Sequence, residues 1–237
     1  MLVLFDQDGV VADFDGGVNA KLAVLHPNLV LVEPSARRNF YLHDDYPPEY
    51  RDEIGAIECE EGFILGLAPV PGAVEALHAM LGAGHDVRIC TAPLSRSTFC
   101  PGEKVQWVRD HLGAEWASRV ILTKDKTYVR GDVLVDDKPE VKGALVPAWE
   151  HLVFERPYNL GAKGRHVNWG NCEQVLSEVE DGLRRPDGEA YVAEGWWHPN
   201  TKAGQVHDHP LNPGRSWSVA SHGMCEPVYT KRPAKRR

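Results

Sequence analysis

The segment Asp6-Gln7-Asp8-Gly9 holds two carboxylates one residue apart, directly behind an apolar run at residues 2–5. Side chains alternate along a strand, so both aspartates leave its end on the same side. Gly9 lets the chain turn tightly just past them. Two anions held that close repel each other. A hard divalent cation with oxygen ligands relieves the repulsion. A lone D-x-D-G is also compatible with a solvated acidic turn, so the neighbours decide.

Three further apolar runs end in groups suited to the same chemistry. Residues 87–90 run into Thr91, residues 120–122 into Thr123-Lys124-Asp125-Lys126, and residues 133–135 into Asp136-Asp137. Ligands of an open parallel sheet sit beyond the carboxyl ends of its strands, so these groups would share one rim. The chemistry they suit is phosphoryl transfer. A carboxylate can attack phosphorus and split one hard step into two, and Asp6, nearest the strand, is the candidate nucleophile. Asp8 is placed to protonate the leaving oxygen and then deprotonate water. Mg²⁺ would be held by Asp6, the backbone carbonyl of Asp8, and the pair Asp136 and Asp137. A hydroxyl at Thr91 and an ammonium at Lys126 would grip phosphate oxygens. Taken singly, Thr91 could be a helix cap and Asp136-Asp137 a loop acid pair. Their order along the chain, each behind an apolar strand, favours the site.

The elements that must position these groups read as α/β. Apolar runs predict strands over residues 2–6, 86–91, 119–123, 132–135 and 152–155. Helical spacing predicts helices over 16–25, 73–81, 103–112 and 172–184. Residues 27–66 contain Pro27, Pro34, Pro47 and Pro48, several aromatics and one short helical stretch at 49–60. They read as an inserted lobe. Strands alternating with helices imply a Rossmann-like, mostly parallel sheet flanked by helices. The domain reading is a catalytic domain over 1–185 with a small helical cap at about 16–68. Residues 186–237 are an irregular extension, rich in Trp, His, Pro and Gly.

Composition narrows the class. The 237 residues are 43% hydrophobic and 25% charged, a soluble globular balance. A net charge of −8 argues against a general nucleic-acid binder but permits a local phosphate site. Five cysteines, an odd number with no C-x-x-C pair, fit a reduced, cytoplasmic chain. No basic segment precedes an apolar stretch at the start, and no apolar run is long enough to span a bilayer, so neither a signal peptide nor a membrane partner is expected.

The motifs carry a family resemblance. Asp6-Gln7-Asp8-Gly9-Val10, Thr91, Lys126 and Asp136-Asp137 resemble the four motifs of haloacid-dehalogenase-like (HAD) phosphatases. Asp6 to Phe14, Arg37-Arg38-Asn39-Phe40-Tyr41, Pro69-Val70-Pro71-Gly72 and Ile121 to Thr127 narrow it to the 5'(3')-deoxyribonucleotidases, over residues 1 to about 185. The resemblance implies a Mg²⁺-dependent 5'-nucleotidase of deoxyribonucleoside monophosphates. It implies Lys104 beside Thr91 and Lys126 at the phosphate, Phe14, Phe40 and Tyr41 around the base and sugar, and Lys124 near the substrate. Ala92 stands where the family often has serine, and Lys124 where it often has arginine. The two cations are not interchangeable at a bidentate contact, so base preference stays open. Two alternatives also stay open: a phosphatase of another small ester, and a non-enzymatic binding protein on the same fold. Homodimerisation is left open too.

The extension offers His198, His207, Asp208, His209, His222 and Cys225, but their spacings match no metal-ligand pattern, and surface histidines are expected. Trp196, Trp197 and Trp217 are expected to cover apolar surface. Five of the last seven residues are basic, read as a solvated tail.

Overall fold

The computed structural model describes residues 1–183 and, beyond them, three short strands at 206–208, 216–219 and 225–228. β1 (Leu2–Phe5) buries Val3, Leu4 and Phe5 completely, as a strand covered on both faces must. α1 (Phe14–Leu25) follows, then three single 3-10 turns and α2 (Arg51–Ile57). α3 (Ala73–Gly82), β2 (Asp86–Thr91), α4 (Cys100–Leu112), β3 (Val120–Leu122) and β4 (Val133–Asp136) come next. β5 (Glu150–Phe154), β6 (Arg165–Val167) and α5 (Cys172–Leu183) complete the first part of the chain.

Six parallel strands form one sheet in the order β3-β2-β1-β4-β5-β6, flanked by helices. β1 lies in the middle, with Phe5 opposite Ile89 on one side and Val135 on the other. This order brings the carboxyl ends of β2, β1 and β4 side by side. It is the arrangement the end-of-strand residues require.

Residues 11–13 and 68–70 pair side by side, bracketing the segment read as an inserted lobe. Asp13 N–H donates to the Ala68 carbonyl at 2.8 Å, and Val70 N–H to the Val11 carbonyl at 2.8 Å. A bridge between Ala12 and Pro69 completes the pairing. On the core side, the Trp107 indole donates to the Leu67 carbonyl at 2.8 Å. On the lobe side, Glu103 accepts from the backbone N–H groups of Gly62 and Ile64 at 2.6 and 3.1 Å. One buried turn of α4 therefore holds the segment by which the lobe returns.

Several boundaries differ from expectation for local reasons. α1 starts two residues early because the Asp13 side chain accepts from Gly16 N–H and caps it. α4 starts at Cys100, not 103. Pro101 sits in its first turn, where a missing N–H costs nothing. The lobe helix is shorter than residues 49–60, a 3-10 turn at Pro48–Tyr50 leading into α2. β6 was not foreseen. It has three residues, and only Val167 is buried.

The chain divides into two compact units, Met1–Glu178 and Val179–Arg237. Within the second, β7 (Val206–Asp208), β8 (Ser216–Val219) and β9 (Cys225–Val228) form an antiparallel sheet in that order. Strands of three and four residues are too short to leave a period in the sequence. The side chains of the histidines, tryptophans and basic tail singled out there lie outside the described residues. Among the described residues, no helix is long and apolar enough to cross a membrane.

Candidate active site

The loop after β1 is wound around one carbonyl. Gln7 C=O accepts from Val10, Val11 and Ala12 N–H at 3.4, 2.9 and 2.8 Å. Gly9 sits at φ 72°, and a side-chain carbon there would meet Asp137 Oδ2 at 2.2 Å. Only glycine serves both demands. The Arg156 guanidinium donates to the Gly9 carbonyl through Nε at 2.8 Å and also through Nη2, fixing the loop from the β5 side.

Asp6 continues the sheet, its N–H donating to the Val135 carbonyl at 2.9 Å. Lys126 Nζ lies 2.9 Å from Asp6 Oδ1 and 2.6 Å from Asp136 Oδ2. Its position is set by a 3-10 turn at Lys126–Tyr128, whose N-cap Asp125 accepts from Thr127 N–H at 2.9 Å and Ala144 N–H at 2.7 Å. Burial alone would lower the Lys126 pKa. The Asp6 and Asp136 carboxylates outweigh it and raise the value, so the ammonium stays charged.

A second ammonium serves Asp8. Lys104 Nζ, fully buried on α4, lies 2.6 Å from Asp8 Oδ1 and 3.0 Å from Thr91 Oγ1. Thus the residues expected at the rim do converge. Lys104 and Thr91 stand behind Asp8 and do not line the open cavity.

Carboxylate oxygens of Asp6, Asp136 and Asp137 all lie within 4.8 Å of one another. Asp6 is raised by burial, which Lys126 only partly counters, with Asp136 and Asp8 adding. Asp137 is raised well above the ordinary range, by burial first and then by Asp136 and Asp6. Tyr158 O–H donates to Asp137 Oδ2, and Asn159 Nδ2 to the Asp137 carbonyl at 2.6 Å. An all-oxygen donor set with more negative charge than Lys126 can balance fits a hard divalent cation. The Asp8 carboxylate is outside this cluster and pairs with Lys104 instead.

Replacing Asp137 with asparagine removes a crowded buried charge but keeps an acceptor for Tyr158. In metal-free protein, Asp137→Asn is expected to melt a few degrees above wild type, the scale of about 1–2 kcal/mol in a chain of this size. Differential scanning calorimetry in EDTA checks it. An unchanged or lower Tm would mean that the three carboxylates are already balanced without metal.

A cavity of about 440 Å³ opens over these groups. Asp6, Asp8, Lys126, Asp136 and Asp137 form its floor, and Phe14, Phe40, Tyr41 and Lys124 line it. Phe14 meets Phe63 edge-on at 5.3 Å. Phe40 meets Tyr41 at 5.0 Å and Tyr158 at 6.0 Å, both near perpendicular. Lys138 Nζ stands 5.6 Å from the Phe40 ring centre. Ala92 also lines the cavity.

Sequence reasoning missed Tyr158, Lys138, Arg37, Glu58 and Arg96. Tyr158 follows β5 at the same rim, so the end-of-strand rule that found Lys126 would have found it. Arg37 lies in a motif that carries the family resemblance, but the sequence does not show its partners. Its guanidinium, 3% exposed as a residue, pairs with Asp15, lies 2.7 Å from Asp45 Oδ2, and donates to the carbonyls of Asn39 and Phe40 at 2.8 and 2.9 Å. It also lies 4.8 Å from the Tyr158 ring centre. The fork thus ties the Phe40 loop to α1 and to the rim. Arg37→Lys keeps a charge but cannot span these partners. The loss of about one backbone hydrogen bond should raise KM for an aromatic-bearing substrate roughly tenfold. Steady-state kinetics would show kcat nearly unchanged; a fall in kcat alone would place the role of Arg37 in the chemistry instead.

Comparison with known proteins identifies the family. The family of 5' nucleotidase, deoxy (pyrimidine), cytosolic type C proteins matches residues 1–181. A Bordetella bronchiseptica protein with a provisional 5'(3')-deoxyribonucleotidase name is 44% identical over 178 residues, 75% of this chain and 96% of that protein. The human cytosolic-type 5'(3')-deoxyribonucleotidase is 40% identical over 194 residues, 77% of this chain and 96% of that protein. A solved HAD family hydrolase from Deinococcus radiodurans is 20% identical with a TM-score of 0.45, covering 75% of this chain and 95% of that one. With the family match spanning residues 1–181, and so the six-stranded sheet and its rim, the chain belongs to the 5'(3')-deoxyribonucleotidase family and is a 5'-nucleotidase.

Proposed function

We propose that the protein hydrolyses deoxyribonucleoside monophosphates in two steps at Asp6. The observation that carries this reading is the position of Asp6. It stands at the floor of an aromatic-walled cavity, between Lys126 and the Asp136–Asp137 pair. In the first step an Asp6 oxygen attacks phosphorus, the bond from phosphorus to the sugar oxygen breaks, and Asp8 gives that oxygen a proton. In the second, Asp8 takes a proton from water as the water attacks the same phosphorus. Asp6 is released and inorganic phosphate leaves. Lys126 holds positive charge at the floor, Lys104 adds its own from behind Asp8, and Thr91 orients Lys104.

Asp6, Asp136, Asp137 and the Asp8 carbonyl would hold Mg²⁺, which when bound neutralises the repulsion between the carboxylates and an anionic phosphate. Phe14, Phe40 and Tyr41 would stack and flank a planar base, with Lys124 near the substrate. Residues 1–185 are read as the catalytic domain, capped by about 16–68, and 186–237 as an extension beyond the family match. Cys59, Cys90, Cys100 and Cys172 are free thiols, in keeping with a reduced cytoplasmic setting.

The test is phosphate release from deoxy- and ribonucleoside 5'-monophosphates, with Mg²⁺ and with EDTA. Release that needs Mg²⁺ and favours deoxynucleotides is expected. Release from simple phosphate esters only would keep the floor chemistry and discard the nucleotide.

A further inference from the structure

Phe40, Tyr41 and Tyr158 wall the cavity on the β4–β5 side of Asp6. On the β2 side the lining changes character. There Ala92, Pro93 and Leu94 lead to Arg96, and across from them stands Glu58 at the end of α2. Two contacts seat this wall. Ser97 Oγ donates to the Cys59 carbonyl at 3.5 Å, tying the loop after β2 to the lobe. The Arg96 guanidinium lies against the bare backbone of Gly55, where a side-chain carbon would meet Nη2 at 2.9 Å. Gly55 and Glu58 are three apart and share a helix face, so the guanidinium and the carboxyl are neighbours. Among the described residues the two form no ion pair, and the Glu58 carboxyl makes no hydrogen bond, although its backbone N–H donates to the Ile54 carbonyl at 3.0 Å. A half-buried carboxyl beside a guanidinium on a cavity wall offers a ligand an acceptor or donor next to a fixed donor.

Resting on the nucleotidase reading, we propose that Glu58 and Arg96 form the polar subsite that reads the hydrogen-bonding edge of the base. Arg96 donates to a ring carbonyl or ring nitrogen. Glu58 pairs with the neighbouring ring position. An ionised carboxylate can only accept, so it suits a ring N–H flanked by carbonyls, as in thymine. A neutral carboxylic acid can donate, so it suits a bare ring nitrogen beside an amino group, as in cytosine. Each base class offers a donor and an acceptor side by side, and the protonation of Glu58 selects between the two patterns.

The environment places that choice near neutrality. Burial pushes the Glu58 carboxyl up to about 7; Arg96 pulls it down, while Asp8 and Asp15 push it further up. These three charges come from the loop after β2, the loop after β1 and α1. At pH 6 the acid is mostly neutral and at pH 8 mostly ionised. The preference for thymine over cytosine should therefore rise with pH.

The experiment measures kcat/KM for dTMP, dCMP and an aryl phosphate at pH 6 and pH 8, using the full chain with Mg²⁺. Wild type, Glu58→Gln and Arg96→Met are compared. The dTMP-to-dCMP ratio cancels titration of the catalytic groups, which both nucleotides share. In wild type it should rise severalfold, up to roughly tenfold, between pH 6 and pH 8, the worth of one hydrogen bond to a charged group. In Glu58→Gln it should be flat, and Arg96→Met should lower both nucleotides relative to the aryl ester. A ratio that behaves identically in wild type and Glu58→Gln overturns the inference while leaving the nucleotidase reading intact. Nucleotide and aryl ester falling equally in both variants also overturns it, because the wall would then be only structural. Turnover of the aryl ester with none of any nucleotide overturns the nucleotidase reading, and this inference with it.

Discussion

Asp6→Asn should lose phosphate release by about 10⁵-fold or more, the scale of removing a nucleophile that acts as a unit with its partners. An amide nitrogen or oxygen is too weak a nucleophile to open the phosphorus–oxygen bond, and it is a poor ligand for a hard cation. The fold should survive. Lys126 keeps its 2.6 Å contact with Asp136, and the Asp6 N–H still donates to the Val135 carbonyl. The buried carboxylate lost is one whose pKa burial already raises, so its removal relieves crowding. Phosphate release from a deoxynucleotide and a thermal melt, run on the same preparation, separate the two effects. Turnover within tenfold of wild type in a folded protein would remove Asp6 from the mechanism.

The groups that make this prediction were legible because each sits at the end of a short apolar run. Asp6, Thr91, Lys126 and Asp136 need only the local pattern of strand followed by polar residue, which a sequence carries. The sheet order does not work that way. β1 pairs with β2 across an 84-residue separation and with β4 across about 130, and only packing decides which strands become neighbours. Lys104 shows the same limit. On α4 it reads as an ordinary helix lysine, and only the resemblance suggested it. Its burial between Asp8 and Thr91 is a tertiary fact. Arg37 is the clearest case of what was not legible. Five partners from α1, its own loop and the rim converge on one guanidinium, and none of those contacts has a sequence period. β6 was missed for a simpler reason. One buried valine in three residues cannot be told from a loop.

Asp8→Asn should slow nucleotide turnover by roughly 10²–10⁴-fold, the usual worth of general acid–base help. The deficit should depend on the leaving group. A sugar oxygen needs a proton as its bond to phosphorus breaks, whereas an aryl oxide leaves readily without one. With an aryl phosphate, the first step is therefore nearly spared. The second step is not, because water must still lose a proton to the missing carboxylate. Rapid mixing of Asp8→Asn with an aryl phosphate should then release one equivalent of the phenol quickly and further phenol slowly, as phosphoryl groups accumulate on Asp6. Asparagine still accepts a hydrogen bond from Lys104, whose ammonium keeps its 3.0 Å contact with Thr91 Oγ1, so the burst cannot be charged to a collapsed floor. Wild-type speed with nucleotides would contradict the proton-transfer role. Equal slowing of both substrates without a burst would place Asp8 in positioning Lys104, with no part in moving protons.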